Sequence, residues 1–425
     1  MKIASVAAWQ IFDSRGTPTL EAEVRLENGV RGRGAVPSGA STGQFEATEL
    51  RDRIPDRFRG KSVFQPIANV EGEIARCIGG CDVFDQAGLD RRLIELDGTP
   101  AKSRLGANAI LAVSMAAARA AAVARNVPLY VGLGESRGDL IPLPEVQIVG
   151  GGLHANGRMD IQDFLFIPHG APSYAEALEM VHNVYHAAGD LLRARGLYYG
   201  VADEGGFWPQ FDTNEEALQF LTEAIEHAGY EPGSDGSIAL DIAASNLSDS
   251  SGGYALHLED RRLTTNQFAE LLIGWCRQYP IVSVEDPLAD TDWEGWQIFS
   301  RALGDRVQIV ADDLVTTNVT RLRHAVDRNA ANAVLIKLNQ VGTVTETLDA
   351  IRLAQEAGWK PVISARSGET EDTFIAHLAV ATNAGQLKVG SFARSERMTK
   401  WNELIRIERD LGHRARYAGA VNSLV

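Results

Sequence analysis

Short apolar runs in the C-terminal half end in side chains that can do chemistry. SIALD ends at Asp241, IVSVED at Glu285 and Asp286, VQIVADD at Asp312 and Asp313, AVLIK at Lys337, and PVISARS at Arg366 and Ser367. A single acidic residue after a strand is commonly a helix cap or a turn. A succession of such endings calls for a site. Oxygen ligands on separate rigid strands suit a hard cation such as Mg²⁺. A lysine opposite that cation suits proton abstraction, because nearby positive charge disfavours the ammonium form and makes a neutral amine available. The matching reaction removes a proton next to a carboxylate, because only concentrated positive charge stabilises the dianion that results.

These endings meet only if the runs are strands of one sheet with a common mouth. The runs 237–244, 281–284, 307–311, 333–336 and 361–364 alternate with helical patterns at 267–278, 293–303, 319–328 and 345–357. That alternation predicts parallel strands with helical crossovers. In a β/α barrel the carboxyl ends of the strands converge on the catalytic face. No glycine-rich dinucleotide fingerprint follows an early strand, which argues against a Rossmann fold. The first third differs. Glu21–Leu26 alternates as a half-buried strand, Glu27-Asn28-Gly29 is a hairpin turn, and 36–45 is a Gly/Ser/Thr loop. The alanine-rich stretch 107–124 reads as a packed helix stopped by Asn126-Val127-Pro128. The expected fold is therefore α/β: an N-terminal α+β domain over 1–135 and a C-terminal β/α (TIM-like) barrel over 136–425.

At 425 residues the chain exceeds one ordinary core, and a barrel of ~250 residues leaves room for a partner domain. A net charge of −15 argues against nucleic-acid binding, but not against an anionic small molecule held by local lysines and arginines. Three cysteines (Cys77, Cys81 and Cys276) give no disulfide framework, and no leader pattern opens the chain, so a cytoplasmic setting without membrane contact is expected. Cys77 and Cys81 are read as small buried residues. His182 and His186 share helical i,i+4 spacing but lack an intervening glutamate, and are read as an ordinary helix face. The run 51–59 is read as a solvated loop.

Beyond these patterns, the chain resembles the enolase family over nearly its whole length. The resemblance is carried by FDSRGTPTLEAEV (12–24), VPSGASTGQFEATELRD (36–52), the Gly-Ala-Asn helix at 103–118, ADEGGF, IALDIAAS, SVEDPL, VADDL, LIKLNQVGT, SARSGETEDTFIA and ARSERMTKWNELIRIE, in the family's order. It implies Asp241, Glu285 and Asp312 as ligands of a first Mg²⁺, and Ser41 as a ligand of a second that arrives with substrate. It implies Lys337 as the base at carbon 2 and Glu204, assisted by Asp163, as the acid at carbon 3. Lys388 would contact the substrate carboxylate, Arg366 and Ser367 the phosphate, and His154 the pocket. It also implies a homodimer, or a higher assembly of dimers, with Asp13–Pro18 near the contact. Several positions depart from the pattern. Asp163 stands for a glutamate, Ala365 for a histidine, Trp208 for a small residue, Gly150 for an asparagine, Asn246 for a glutamate and His377 for an aspartate. The implied substrate is a phosphorylated or phosphonylated anion. Beside 2-phosphoglycerate, the departures leave open a modified analogue, as in carboxyphosphonoenolpyruvate synthase, and a non-catalytic binding protein on this fold.

Overall fold

The computed structural model describes residues 1–39, 43–134, 138–249 and 252–421. The chain opens with an antiparallel meander of β1 (Ile3–Phe12), β2 (Pro18–Leu26) and β3 (Arg31–Ala35). Its inner face packs on α1 (Ala107–Ala124), and the contact is unusually close. A Cβ at Gly32 would lie 2.2 Å from the Ala116 carbonyl oxygen, and one at Gly34 would lie 2.6 Å from that of Ala112. The sequence RGRGA thus turns glycine toward the helix, and the helix answers with alanine, so backbone meets backbone. The apolarity of α1 reflects this burial: 83% of it is inside the protein. Of the run 51–59, read as a solvated loop, 51–57 is irregular and the last two residues enter a 3-10 turn (Phe58–Gly60), while Arg51 is half-buried and donates to the Pro18 and Lys61 carbonyls and to Glu49.

Eight strands then close a barrel in chain order: β4 (Leu143–Gly150), β5 (Asp163–Ile167), β6 (Ser237–Asp241), β7 (Ile281–Glu285), β8 (Gln308–Ala311), β9 (Ala333–Ile336), β10 (Lys360–Ser364) and β11 (Gln386–Gly390). The helices expected between β6 and β10 are present within a few residues of their predicted ends, and α1 has its predicted bounds. The sheet is not wholly parallel, which corrects the sequence reading. β5 runs antiparallel to both β4 and β6, and two helices, α2 (Tyr174–Ala194) and α3 (Asn214–His227), follow it before the chain returns as β6. The reversal has a consequence for chemistry. Asp163 is the first residue of β5, yet it pairs with Asp241, the last residue of β6, so both sit at one mouth.

Inside the barrel, Val310, Ala333, Leu335 and Val362 form an apolar layer. At the opposite, N-terminal end, Gln308 and Gln386 exchange two amide hydrogen bonds of 2.9 and 2.8 Å. The N-terminal segment reaches the mouth through a two-way bridge between Ser38 and Gly368 of 2.8 and 2.9 Å. Salt bridges join Arg119 to Asp372 and Glu46 to Arg366.

Candidate active site

One cavity at the barrel mouth is lined by His154, Asp163, Glu204, Asp241, Asp312, Lys337, Arg366, Ser367 and Lys388, with Gln162, Asp286 and Asp313 among their neighbours. Glu285, at the end of β7, reaches the same place through the Lys388 ammonium. The structure therefore gathers every predicted site residue it describes; Ser41 lies outside the described residues. The chain enters that stretch at the Ser38 bridge and leaves it at Gly43, whose amide donates to Glu46 Oε1 at 3.0 Å.

The site divides into a crowded charged centre, a proton-handling side and an anion-binding side. At the centre, Lys388 Nζ donates to Asp241 Oδ2 at 2.8 Å and Glu285 Oε2 at 2.6 Å, with Asp163 Oδ2 at 3.6 Å. Burial opposes its charge, but Asp241 and Glu285 outweigh burial and hold Lys388 well above the usual lysine range. Glu285 is driven well above the carboxylic range by burial and by Asp241. Lys337 Nζ contacts Asp312 Oδ2. The sequence reading expected nearby cations to bring Lys337 down toward the neutral amine; burial, Arg366 and Lys388 act in that direction, but Asp312 and Glu285 outweigh them and Lys337 is raised, which corrects that expectation.

Asp241, Glu285 and Asp312 are hard oxygen donors at the ends of three adjacent strands. Two of them converge on the ammonium of Lys388 and the third on that of Lys337. Each of the three is thus paired with a lysine ammonium, a positive charge of the kind that a bound cation would supply. This donor set fits a hard divalent ion. Among the described residues, the acid and imidazole groups that bring three ligand atoms within 4.8 Å are different ones: His154/Asp163/Glu204 and Asp286/Asp312/Asp313. Asp286 is already committed. Its two oxygens accept the Asp312 and Asp313 backbone amides, each at 2.9 Å, so it builds the turn after β8.

On the proton-handling side, Glu204 lies at the tip of a tight hairpin. His154 Nδ1 lies 3.6 Å from Asp163 Oδ1 and 4.0 Å from Glu204 Oε1. These are ion-pair distances, and among the described residues Nδ1 has no hydrogen-bond partner. Burial would lower His154, but the two carboxylates raise it. Burial likewise opposes ionisation of Asp163, while His154, Lys388 and Gln147 bring it down to about 2. Gln147 was not anticipated from the sequence. Buried on β4, it donates to Asp163 Oδ1 and accepts the Gly206 amide at 2.8 Å, tying the carboxylate to the Glu204 hairpin. Gln162 and Gln340, also unanticipated, donate to Asp241 at 3.0 Å and Asp312 at 2.8 Å.

On the anion-binding side, Arg366 is buried and forks onto Glu46 at 3.0 and 3.2 Å, with Asn339 at 2.8 Å. Arg15 Nη1 lies 3.4 Å from Ser367 Oγ. Outside the site, His182 and His186 are exposed on α2 with ring centroids 4.3 Å apart. The cysteines carry free thiols and are half-buried; Cys77 and Cys81, read as small buried residues, are less enclosed than expected.

Comparison with known proteins agrees with this geometry. Residues 3–133 match the family model described as enolase, N-terminal domain, and residues 139–424 match enolase, C-terminal TIM barrel domain. Enolase 1 of Desulfitobacterium hafniense (strain Y51) is 54% identical over 418 residues, covering 98% of this chain and 95% of that protein. With both domains matched in order and an eight-stranded barrel that gathers the family's motifs at one mouth, the chain belongs to the enolase family.

Proposed function

We propose that the protein is a hydro-lyase that interconverts 2-phosphoglycerate and phosphoenolpyruvate. The observation that carries the reading is that Lys337 and Glu204 line one cavity with the Asp241, Glu285 and Asp312 carboxylate set around its charged centre, in a chain 54% identical to an enolase. With a cation held by Asp312 and Glu285, Lys337 is released from the pairing that raises it, leaving burial, Arg366 and Lys388 to favour the neutral amine that takes the proton from carbon 2. Glu204 gives a proton to the hydroxyl of carbon 3, which leaves as water while the carbon–carbon double bond forms. Asp163, through His154, sets the field around Glu204. Lys388 is a point charge for the substrate carboxylate, and Arg366 offers a planar fork to the phosphoryl group with Ser367 beside it. Asp241, Glu285 and Asp312 would hold Mg²⁺, which when bound lends its charge to the dianion. A second Mg²⁺ with Ser41 as ligand completes the proposed metal content. The proposed assembly is a homodimer, supported by the family resemblance of Asp13–Pro18.

A modified substrate is not favoured, because the relative that covers 98% of the chain is an enolase. A non-catalytic role is not favoured either, since base, acid and carboxylate set are all present in one cavity. The test follows the enol ultraviolet absorbance with 2-phosphoglycerate and Mg²⁺. Turnover should be abolished by a chelator and should fall ~10²–10⁴-fold in Lys337→Ala. Folded, metal-binding protein without turnover would overturn the proposal.

A further inference from the structure

Two loops meet on the proton-handling side, and their backbones share little. The first, 151–162, closes on itself through Gly151 N to Gln162 O at 2.7 Å, Gly152 N to Met159 O at 2.9 Å and Gly157 N to Gly152 O at 2.8 Å. It buries His154 and exposes Leu153. The second, 200–208, is a hairpin held by Ala202 N to Gly206 O at 2.7 Å and Trp208 N to Gly200 O at 3.3 Å, with Glu204 at its tip. One backbone hydrogen bond joins them, Asp203 N to His154 O at 3.2 Å.

Between side chains, His154 and Glu204 approach to 4.0 Å, and a second link is Arg158. Its guanidinium carbon lies 4.9 Å from the centre of the Tyr199 ring and 5.1 Å from that of Trp208. Its Nη1 is buried and makes no hydrogen bond among the described residues. A guanidinium that gives up a polar partner while facing two aromatic rings is held by them. Both rings stand at the base of the Glu204 hairpin. Trp208 keeps its seat because residue 200 is glycine: φ is +140°, and a Cβ there would lie 2.9 Å from Trp208 Nε1. This gives a role to the large side chain at 208, which the sequence reading singled out and the proposed reaction leaves unused.

We propose that Arg158 is a positioning residue: clasped by Tyr199 and Trp208, it pins the His154 loop onto the Glu204 hairpin and so fixes the distance between the acid and its neighbours. The kinetic part rests on the function proposed above; the structural part does not. The test is hydrogen exchange of amides in 152–159 and 203–206, together with kcat and KM, for Arg158→Leu, Tyr199→Leu, Trp208→Leu and Trp208→Phe. Arg158→Leu and Trp208→Leu should each speed exchange in both loops about tenfold and lower kcat more than they change KM. The double variant should do little more than either alone, since both remove one contact. Trp208→Phe keeps a ring and should stay near the native rates. Tyr199→Leu alters an exposed ring and serves as a clasp variant with little risk to folding. Exchange that stays within twofold of native in Arg158→Leu and Tyr199→Leu, or single effects that simply multiply, would overturn the clasp. If exchange responds as described but native protein does not turn over 2-phosphoglycerate, the clasp stands and the proposed reaction falls.

Discussion

Gln147→Leu offers a sharp test of how the site is held. Leucine fills a similar volume but can neither donate to Asp163 nor accept from Gly206, and both groups are buried. A buried N–H left without a partner costs ~1–3 kcal/mol, and a hydrogen bond to a charged group is worth ~1.5–3 kcal/mol. The hairpin keeps two other ties to β4, Gly150 N to Phe207 O at 2.8 Å and Phe207 N to Ile148 O at 2.9 Å, so it should loosen without detaching. A net loss of ~2–5 kcal/mol is expected. For a cooperative unit the size of the matched barrel, 139–424, an unfolding entropy of ~2.1 cal/mol/K per residue converts this to ~3–8 °C. Misplacement of Asp163 and Glu204 should also lower kcat/KM about 10–100-fold, since each ~1.4 kcal/mol of lost transition-state stabilisation is tenfold. Calorimetry and the enol absorbance assay read the two effects. A variant that melts within 1 °C of native, taken as roughly the smallest resolvable shift, and keeps its kcat/KM would refute the claim that Gln147 ties the two carboxylates together.

Two further outcomes test other parts of the molecule. Gly34→Val drives a Cβ to within 2.6 Å of the Ala112 carbonyl oxygen and should destabilise by ~1–3 kcal/mol or more, whereas Gly274→Ala, which meets open space in a helix, should be neutral or slightly stabilising; equal melting temperatures for the two would count against the backbone-to-backbone contact of β3 and α1. Glu145 is buried on β4 with one carboxyl oxygen unpartnered among the described residues, and burial, partly offset by Lys388, raises it to about 7. The folded state therefore prefers the neutral acid. Its contribution is whole below the unfolded value of ~4.3 and is lost as pH rises through about 7, a span on the order of 3 kcal/mol. Glu145→Gln should flatten the fall in melting temperature between those limits, and parallel pH profiles would sink the assignment.

The strands legible in the sequence were those whose polar residue comes last. Ala333–Ile336 is apolar until Lys337 follows, and Ile281–Glu285 is apolar but for Ser283 until Glu285 arrives, so pattern and chemistry reinforce each other. The three barrel strands that were missed break that rule. LPEVQIVG buries Glu145 and Gln147, QLKVG buries Gln386 and Lys388, and DFLFI begins with its functional aspartate because it runs the other way. Local alternation cannot distinguish an inward Lys388 from an outward one, since the difference lies in Asp241 and Glu285 waiting on strands far away in sequence. The same limit explains why Gln147 and Glu46 went unnoticed. An amide or a carboxylate acquires meaning only when its partner is known, and here the partners are Asp163 and Arg366, 16 and 320 positions away. Residues that act by position at a strand end can be read from a chain one run at a time. Residues that act by holding another in place become visible only once the barrel has closed.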